Sequence, residues 1–462
     1  MPSNPTIAIP QLSATLNGRV IAPGDDGYDE ARVVYYRAID RRPAAIIRAA
    51  DADDVARVVT LARDTGAELA VRSGGHSVAG HSVSDGGIVL DLSDMQALEI
   101  DVEGRTAWAQ TGLTAGQYTA AAGDHGLATG FGDTGGVGIG GITLGGGVGF
   151  LVRKYGLTID DLLAADVVTA DGQLLHVDAR THPDLFWALR GGGGNFGVAT
   201  RFQFRLHEVD TMLGGMMILP ATPDVITSFV AEADAAPDEL STIANVMNAP
   251  PMPFVPEEHH GRPVVFALLA HTGATEAGER VIARFRSLAT PIVDMVKPMR
   301  YAEIYEAGDP PPATAMDIRS MFVDDLDHHA AEAVLEDLGA STAPMAAVQL
   351  RVLGGAMARV ADDATAFAHR GRRIMVNVAA AFEDPDEAAV HEAWVSSLAK
   401  KLQQGDTGAY VNFLGDEGEA RVRQAYPGST WERLTTIKAR YDPTNVFRRN
   451  HNIPPATDGR QP

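Results

Sequence analysis

No cysteine occurs among the 462 residues, which excludes disulfides, thiolate nucleophiles and cysteine-ligated zinc or iron–sulfur sites. The chain therefore tolerates oxidising and reducing compartments alike. Long hydrophobic runs are missing too. No apolar stretch approaches the ~18 residues that span a bilayer, and MPSNPTIAIPQLSATLNG has no basic start ahead of an apolar segment. A cytoplasmic protein with no membrane partner is the expectation. Nor does any run of Lys and Arg offset a formal charge of −22, which repels phosphate backbones and anionic lipid, so no nucleic-acid partner is expected. Internal repeats and low-complexity tails are absent.

Hydrophobic residues make up 45% of the chain, enough to build the cores of two or three domains and to bury a cofactor. Of the 48 glycines, the densest groups form three turns within the first ~205 residues. The first lies in RSGGHSVAGHSVSDGGIVLD, where apolar strands over Leu69 to Ser73 and Ile88 to Leu92 bracket Gly74, Gly75 and His76. Two glycines without Cβ atoms let a flat cofactor or a pyrophosphate approach the backbone, and they present the histidine that follows.

Residues 50 to 66 place Val55, Val58, Val59 and Ala62 at helical spacing, with Asp51 or Asp53 to cap the start and Gly66 to end it. AAIIRAA reads as a strand, ALEIDVEGRTAWAQ as a hairpin about Glu103-Gly104, and Ala115 to His125 as a short helix. The second turn, GFGDTGGVGIGGITLGGGVG, contains G-x-G-x-x-G at Gly136, Gly138 and Gly141. A Rossmann pyrophosphate turn needs a buried strand before the first glycine and a helix opening within it. LATGFGDTG is no buried strand and ITLGGGVG is a poor helix start, so an irregular glycine-lined cradle is expected. The third turn, Gly191 to Gly194, follows a helix opened by Pro183 and precedes the strand VATRFQFRL. One extended dinucleotide would explain all three turns.

Beyond residue 207, strands at Met216 to Leu219, Val264 to Ala270, Ala346 to Val352 and Ile374 to Ala380 alternate with amphipathic helices such as EAGERVIARFRSL and DHHAAEAVLEDLG. This marks a second, α+β domain, interrupted by the loops APPMPFVPEE and GDPPPATA. The pairs His259-His260 and His328-His329 do not converge on one ligand point, so no metal is expected. A C-terminal helix from about Thr430 to Arg440 halts before Pro443 and leads into a tail with Asn445, Asn450 and Asn452.

Together RSGGHS, GDTGGVGIGG with GGGVGFLVRKYGLTIDDL, GGGGNFGV, the Y-x-N at Tyr410 and Asn412, and DPTNVFRRNHNIPP resemble the berberine bridge enzyme-like flavoprotein oxidases of the vanillyl-alcohol oxidase and p-cresol methylhydroxylase superfamily. The resemblance implies an α+β fold: a two-part FAD-binding domain of the p-cresol methylhydroxylase type, residues 1–206 and 405–462, with residues 207–404 inserted as a substrate domain whose antiparallel sheet is covered by helices. His76 matches the histidine bonded covalently to the 8α-methyl carbon of the isoalloxazine ring, whereas His81 lies outside the motif and is expected to pack or sit in a loop. Thr134 stands where many relatives carry a second, cysteine attachment, so FAD held through His76 only is expected. Val137 matches the residue said to govern oxygen access and resembles the oxygen-reactive members.

Further cofactor contacts implied are Arg72, Ser73, Gly74, Gly75 and Ser77 in the first turn. In the second they are Gly132, Asp133, Thr134, Gly136, Val137, Gly138, Gly140, Gly141, Thr143, Gly146 and Gly149, followed by Val198, Tyr410, Asn412 and Asn450. Flavin chemistry requires a group that binds, orients and where necessary deprotonates the alcohol or amine. Tyr410 is the base candidate, provided that its pKa is depressed; an amine bound neutral would need only to be oriented. Gln349 and Arg351 share one strand face and with Asn377 are candidates to line the pocket. The expected function is FAD-dependent oxidation of a small amine or alcohol with oxygen as acceptor and hydrogen peroxide released. A dehydrogenase with another acceptor, an oxidase of a sugar or large natural product, and a non-catalytic flavin-binding protein stay open beside it.

Overall fold

A computed structural model of the chain describes residues 9–305, 314–405 and 408–457; most of the GDPPPATA stretch falls outside them. The fold is α+β, built on three main sheets. The first orders Arg19–Ile21, Ala45–Arg48, Ile88–Asp91 and Leu69–Arg72, the last three parallel. The second is antiparallel in the order Leu98–Asp101, Thr106–Gln110, Val198–Arg205, Leu162–Val168, Leu174–Asp178.

Local signals account for much of this. Asp51 caps the helix Ala52–Thr65 by accepting from the Asp54 amide, and Gly66 ends it at φ 71°, a left-handed position that glycine adopts without Cβ strain. Val55, Val58, Val59 and Ala62 are buried in one cluster with Ile47, Leu69, Ile88 and Leu90. The helix thus closes one face of the first sheet.

The third sheet positions the site. Its antiparallel order is Val293–Asp294, Thr211–Pro220, Pro263–His271, Leu240–Asn248, Met345–Val352, Ile374–Phe382, Ala315–Val323. Side chains alternate as strand geometry demands. Ala346, Val348, Leu350 and Val352 join Val376, Val378, Ala244 and Val246 in a core covered by the helices Pro223–Asp234, Thr275–Arg286, His328–Ala340 and Ala388–Leu402. Gln349 and Arg351 take the opposite face.

One expectation is corrected. The second glycine turn is not wholly irregular: Ile139–Gly145 is a seven-residue α-helix with Gly138 at its N-cap and no side-chain cap. Propensity and capping argue against it, but Ile139, Thr143 and Leu144 are buried, and tertiary packing of this kind overrides weak local preference. The Rossmann arrangement is still not met, because the strand ahead of it, Leu127–Ala128, is two residues long and pairs with His207–Glu208.

Candidate active site

The first and second glycine turns touch backbone to backbone. A Cβ on Gly74 would fall well inside contact distance of the Gly138 amide, and one on Gly138 would strike Ser73 Oγ and the Gly74 amide. Ser73 Oγ donates to the Thr111 carbonyl at 2.5 Å, which anchors the same junction. Arg72 is buried. Its Nη2 donates to Asp91 Oδ2 and to the Ala31 carbonyl, both at 2.7 Å, so this guanidinium first of all holds the turn to the parallel sheet. His76 stacks on Tyr35 with centroids 4.2 Å apart and planes 24° from parallel, and the Tyr35 amide donates to the Gly75 carbonyl. Ser77 Oγ accepts from the His81 amide.

The second turn is joined to the roof sheet. Tyr305 donates to the Gly132 carbonyl at 2.8 Å. Arg351 Nη2 reaches Asp133 Oδ2 at 2.6 Å, Nη1 donates to the Val148 carbonyl and Nε to Gln349 Oε1, both at 2.8 Å. The Val137 carbonyl accepts from the Ala115 amide, and a Cβ on Gly140 would crowd Ser73. Thr134 hydroxyl makes only a long 3.4 Å bond to Asp133 Oδ1. Gly146, at φ 132°, lies against Phe367 and the Tyr410 ring, and Gly149 against the Phe131 carbonyl. Gly136 is in the same contact, its carbonyl facing Gly74, while around Gly141 and Gly194 the space a Cβ would take is open. Val198 is buried in one cluster with Val168, Val446 and Phe447, so its side chain serves the core. Asn450 Nδ2 donates to the Gly194 and Phe447 carbonyls, which brings the C-terminal tail onto the third turn.

Tyr410 is buried, and its hydroxyl oxygen accepts from the Gly147 amide and from Asn412 Nδ2, each at 3.0 Å. Asn412 Nδ2 also donates to the Ile142 carbonyl, fixing its orientation against the Ile139–Gly145 helix. Sequence reasoning required a depressed Tyr410 pKa, and here the structure differs: burial raises it, outweighing the hydrogen bonds from Asn412 and Gly147 and the charge of Arg351, which lower it.

Cross-strand register puts Asn245, Gln349, Asn377 and Ser320 in one polar row across four strands. Gln349 Nε2 donates to Asn245 Oδ1 at 3.1 Å, and Ser320 Oγ accepts from the Tyr410 amide at 3.2 Å. Tyr410, Asn412, Gln349, Arg351 and Asn377 are thus brought into one constellation. Asn245 and Ser320 were not legible in the sequence; only the strand pairing reveals them, since Asn245 and Gln349 are 104 residues apart.

Several buried polar atoms have no hydrogen-bond partner among the described residues: Arg72 Nη1, Thr143 Oγ1, Asn377 Oδ1, Asn450 Oδ1 and Asn452 Oδ1. Such atoms are costly unless a ligand or water satisfies them. Donors and acceptors set along glycine turns fit a dinucleotide with a polar headgroup. Among the described residues no cluster of His, Cys, Asp or Glu could hold a metal ion, and no helix is long and apolar enough to cross a membrane.

Comparison with known proteins gives a consistent picture. An FAD binding domain model matches residues 43–178, and a berberine and berberine-like model matches residues 409–454. The chain is 32% identical to (R)-6-hydroxynicotine oxidase of Paenarthrobacter nicotinovorans over 96% of this chain and 97% of that protein. The crystal structure of 6-hydroxy-D-nicotine oxidase from Arthrobacter nicotinovorans superposes with a TM-score of 0.84 at 30% identity, covering 98% of this chain and 100% of the other. Glucooligosaccharide oxidase from Acremonium strictum, which carries a 6-S-cysteinyl, 8α-N1-histidyl FAD, shares the fold with a TM-score of 0.84 at 23% identity, over 96% and 98% of the two chains.

Proposed function

The chain belongs to the berberine bridge enzyme-like family of FAD-linked oxidoreductases, and from that premise we propose that it is an oxidase of a small alcohol or amine with FAD attached through His76 alone. The observation that carries the reading is the Tyr410 hydroxyl, held by Gly147 and Asn412 beside the glycine turns, while the Tyr410 backbone amide is bonded to Ser320 at the end of the polar row. FAD, when bound, supplies a ring that accepts hydride and passes electrons on to oxygen, giving hydrogen peroxide.

In this reading residues 1–206 and 405–462 form the FAD-binding part and residues 207–404 the substrate part. Gly74 and Gly138 let the first two turns close on each other, the open backbone at Gly141 and Gly194 admits the cofactor, and Thr143, Asn450 and Asn452 offer buried polar atoms that lack partners. His76 is half-buried and braced by Tyr35, as a residue held for one bonding geometry would be. Thr134 leaves the second tether out, and Val137 leaves oxygen access open. Tyr410 orients the substrate's hydroxyl or amine. Because burial favours its protonated form, it takes up a proton only when a charge in the filled site lowers its pKa toward neutrality.

The test is anaerobic mixing of the purified yellow protein with secondary amines, benzylic alcohols and sugars, followed by mixing with air-saturated buffer. Bleaching by one class with rapid return of colour is the expected result. Bleaching with slow return would replace the oxidase with a dehydrogenase, and no bleaching at all would remove the catalytic reading.

A further inference from the structure

The polar row fixes one carboxamide more tightly than the others, and this narrows the substrate. Arg351 has only donors, so its Nε bond to Gln349 identifies the accepting atom there as Oε1. The other end of the Gln349 amide must then be Nε2, which donates to Asn245, so the Asn245 atom facing it must be Oδ1. Asn245 is left to present Nδ2, a donor, to the site. The order of atoms follows from the guanidinium and does not depend on a choice of amide flip.

Charge in the row is already balanced. Arg351 is 3% exposed, each of its three nitrogens is bonded, and Asp133 neutralises it. Asn377 and Ser320 complete the row, and the tyrosines Tyr36, Tyr305 and Tyr410, bonded through their hydroxyls to Met316 Sδ, the Gly132 carbonyl, and Gly147 and Asn412, are held protonated by burial, which raises their pKa values. No unpaired carboxylate among the described residues stands ready for a cation. Asn377, 7% exposed, has a carboxamide oxygen without a partner and requires a donor.

Resting on the oxidase reading above, we propose that Asn245 is a specificity-determining residue and that the site takes an uncharged alcohol carrying at least two oxygen functions, in preference to an ammonium. An ammonium group has no lone pair, so it cannot accept from Asn245 Nδ2, and with Asp133 already committed to Arg351 the row offers it no carboxylate of its own. A hydroxyl accepts from Asn245, and another donates to Asn377. The two asparagines lie two strands apart, about 10 Å between backbones, so one hydroxyl does not serve both.

The experiment compares matched alcohol and amine pairs, 4-hydroxybenzyl alcohol with 4-hydroxybenzylamine and glucose with glucosamine, by calorimetric binding at pH 7 and by the rate of anaerobic bleaching. The wild-type protein should bind the alcohol of at least one pair about tenfold or more tightly than its amine, as one well-made or lost hydrogen bond allows. Asn245→Asp keeps the acceptor for Gln349 but replaces the inward donor with a carboxylate, and the preference should reverse toward the amine. Asn245→Ala should weaken the alcohol without strengthening the amine, a split that loss of packing would not produce. Equal or tighter binding of the amines by the wild-type protein, no alcohol bound, or an unchanged ratio in Asn245→Asp overturns the proposal. Because binding is read without turnover, a protein that bleaches with nothing would defeat the oxidase reading while the binding ratio still decides this one.

Discussion

Asn412 Nδ2 stands 3.0 Å from the Tyr410 hydroxyl and 3.1 Å from the Ile142 carbonyl, so one amide both feeds the tyrosine oxygen and is pinned to the glycine-rich helix. With the Gly147 amide also donating, that oxygen has two donors and keeps its own proton free to be given or withdrawn.

Tyr410→Phe removes this group while keeping the ring against Phe367 and Phe413. Reduction by substrate should slow by about 10²–10⁴-fold, the usual range for a lost proton-transfer group, with little change in ligand binding. Because burial raises the Tyr410 pKa, the wild-type reduction rate should climb on the alkaline side of neutrality, and the variant's rate should not. Rapid anaerobic mixing over pH 6 to 10 reads both; an unchanged rate would make Tyr410 structural.

Gly74→Ala forces a methyl into the Gly138 backbone, which has no side chain to swing away. The cost expected is at least about 2–3 kcal/mol, with loss of flavin loading. Gly339→Ala, in the helix His328–Ala340 with open space where the Cβ would go, should instead stabilise by up to about 1 kcal/mol. Urea denaturation and flavin content measure the contrast.

The Arg351–Asp133 pair joins the roof sheet to the second glycine turn across 218 residues of sequence. Arg351→Met strands a partly buried carboxylate, and Asp133→Asn leaves a buried guanidinium with neutral partners only. A double-mutant cycle in urea should give a coupling of roughly 1–3 kcal/mol. Additive effects would mean that the pair contributes geometry alone.

His81 and His451 meet edge to face at 4.6 Å, and burial is the main reason their pKa values are pushed down, to about 3 and about 4. Unfolded, each titrates near ~6.5. Above that pH their contribution is fully present. Below it the unfolded chain takes up protons that the folded chain refuses, and stability falls as pH drops toward 4 and then 3, by up to about 1.4 kcal/mol per pH unit for each histidine. The His81→Gln/His451→Gln variant should lose less stability than wild type between pH 7 and pH 5; equal losses would contradict this assignment.

Legibility in the sequence followed the range of the interactions involved. Asp51, Gly66 and Pro183 marked helix ends because caps act within one turn, and the alternation around Gln349 and Arg351 assigned a shared face from strand period alone. The helix Ile139–Gly145 was hidden because its stability comes from the Gly74–Gly138 approach and from burial of Thr143, both tertiary. Asn245 and Ser320 were hidden for a related reason: their place beside Gln349 and Tyr410 depends on strand register, which no local pattern encodes. Motif order pointed to Tyr410 and Asn412, but the direction of the Tyr410 pKa needed its burial.

In the proposed reading the turn carrying His76 holds the flavin on which the rest of the site is arranged. This is tested most directly by acid precipitation of the purified protein, followed by mass analysis of the peptide containing His76. The expected result is a yellow pellet, a colourless supernatant, and FAD mass on that peptide at His76, lost in His76→Ala. Yellow colour released wholly into the supernatant, with the His76 peptide unmodified, would contradict it.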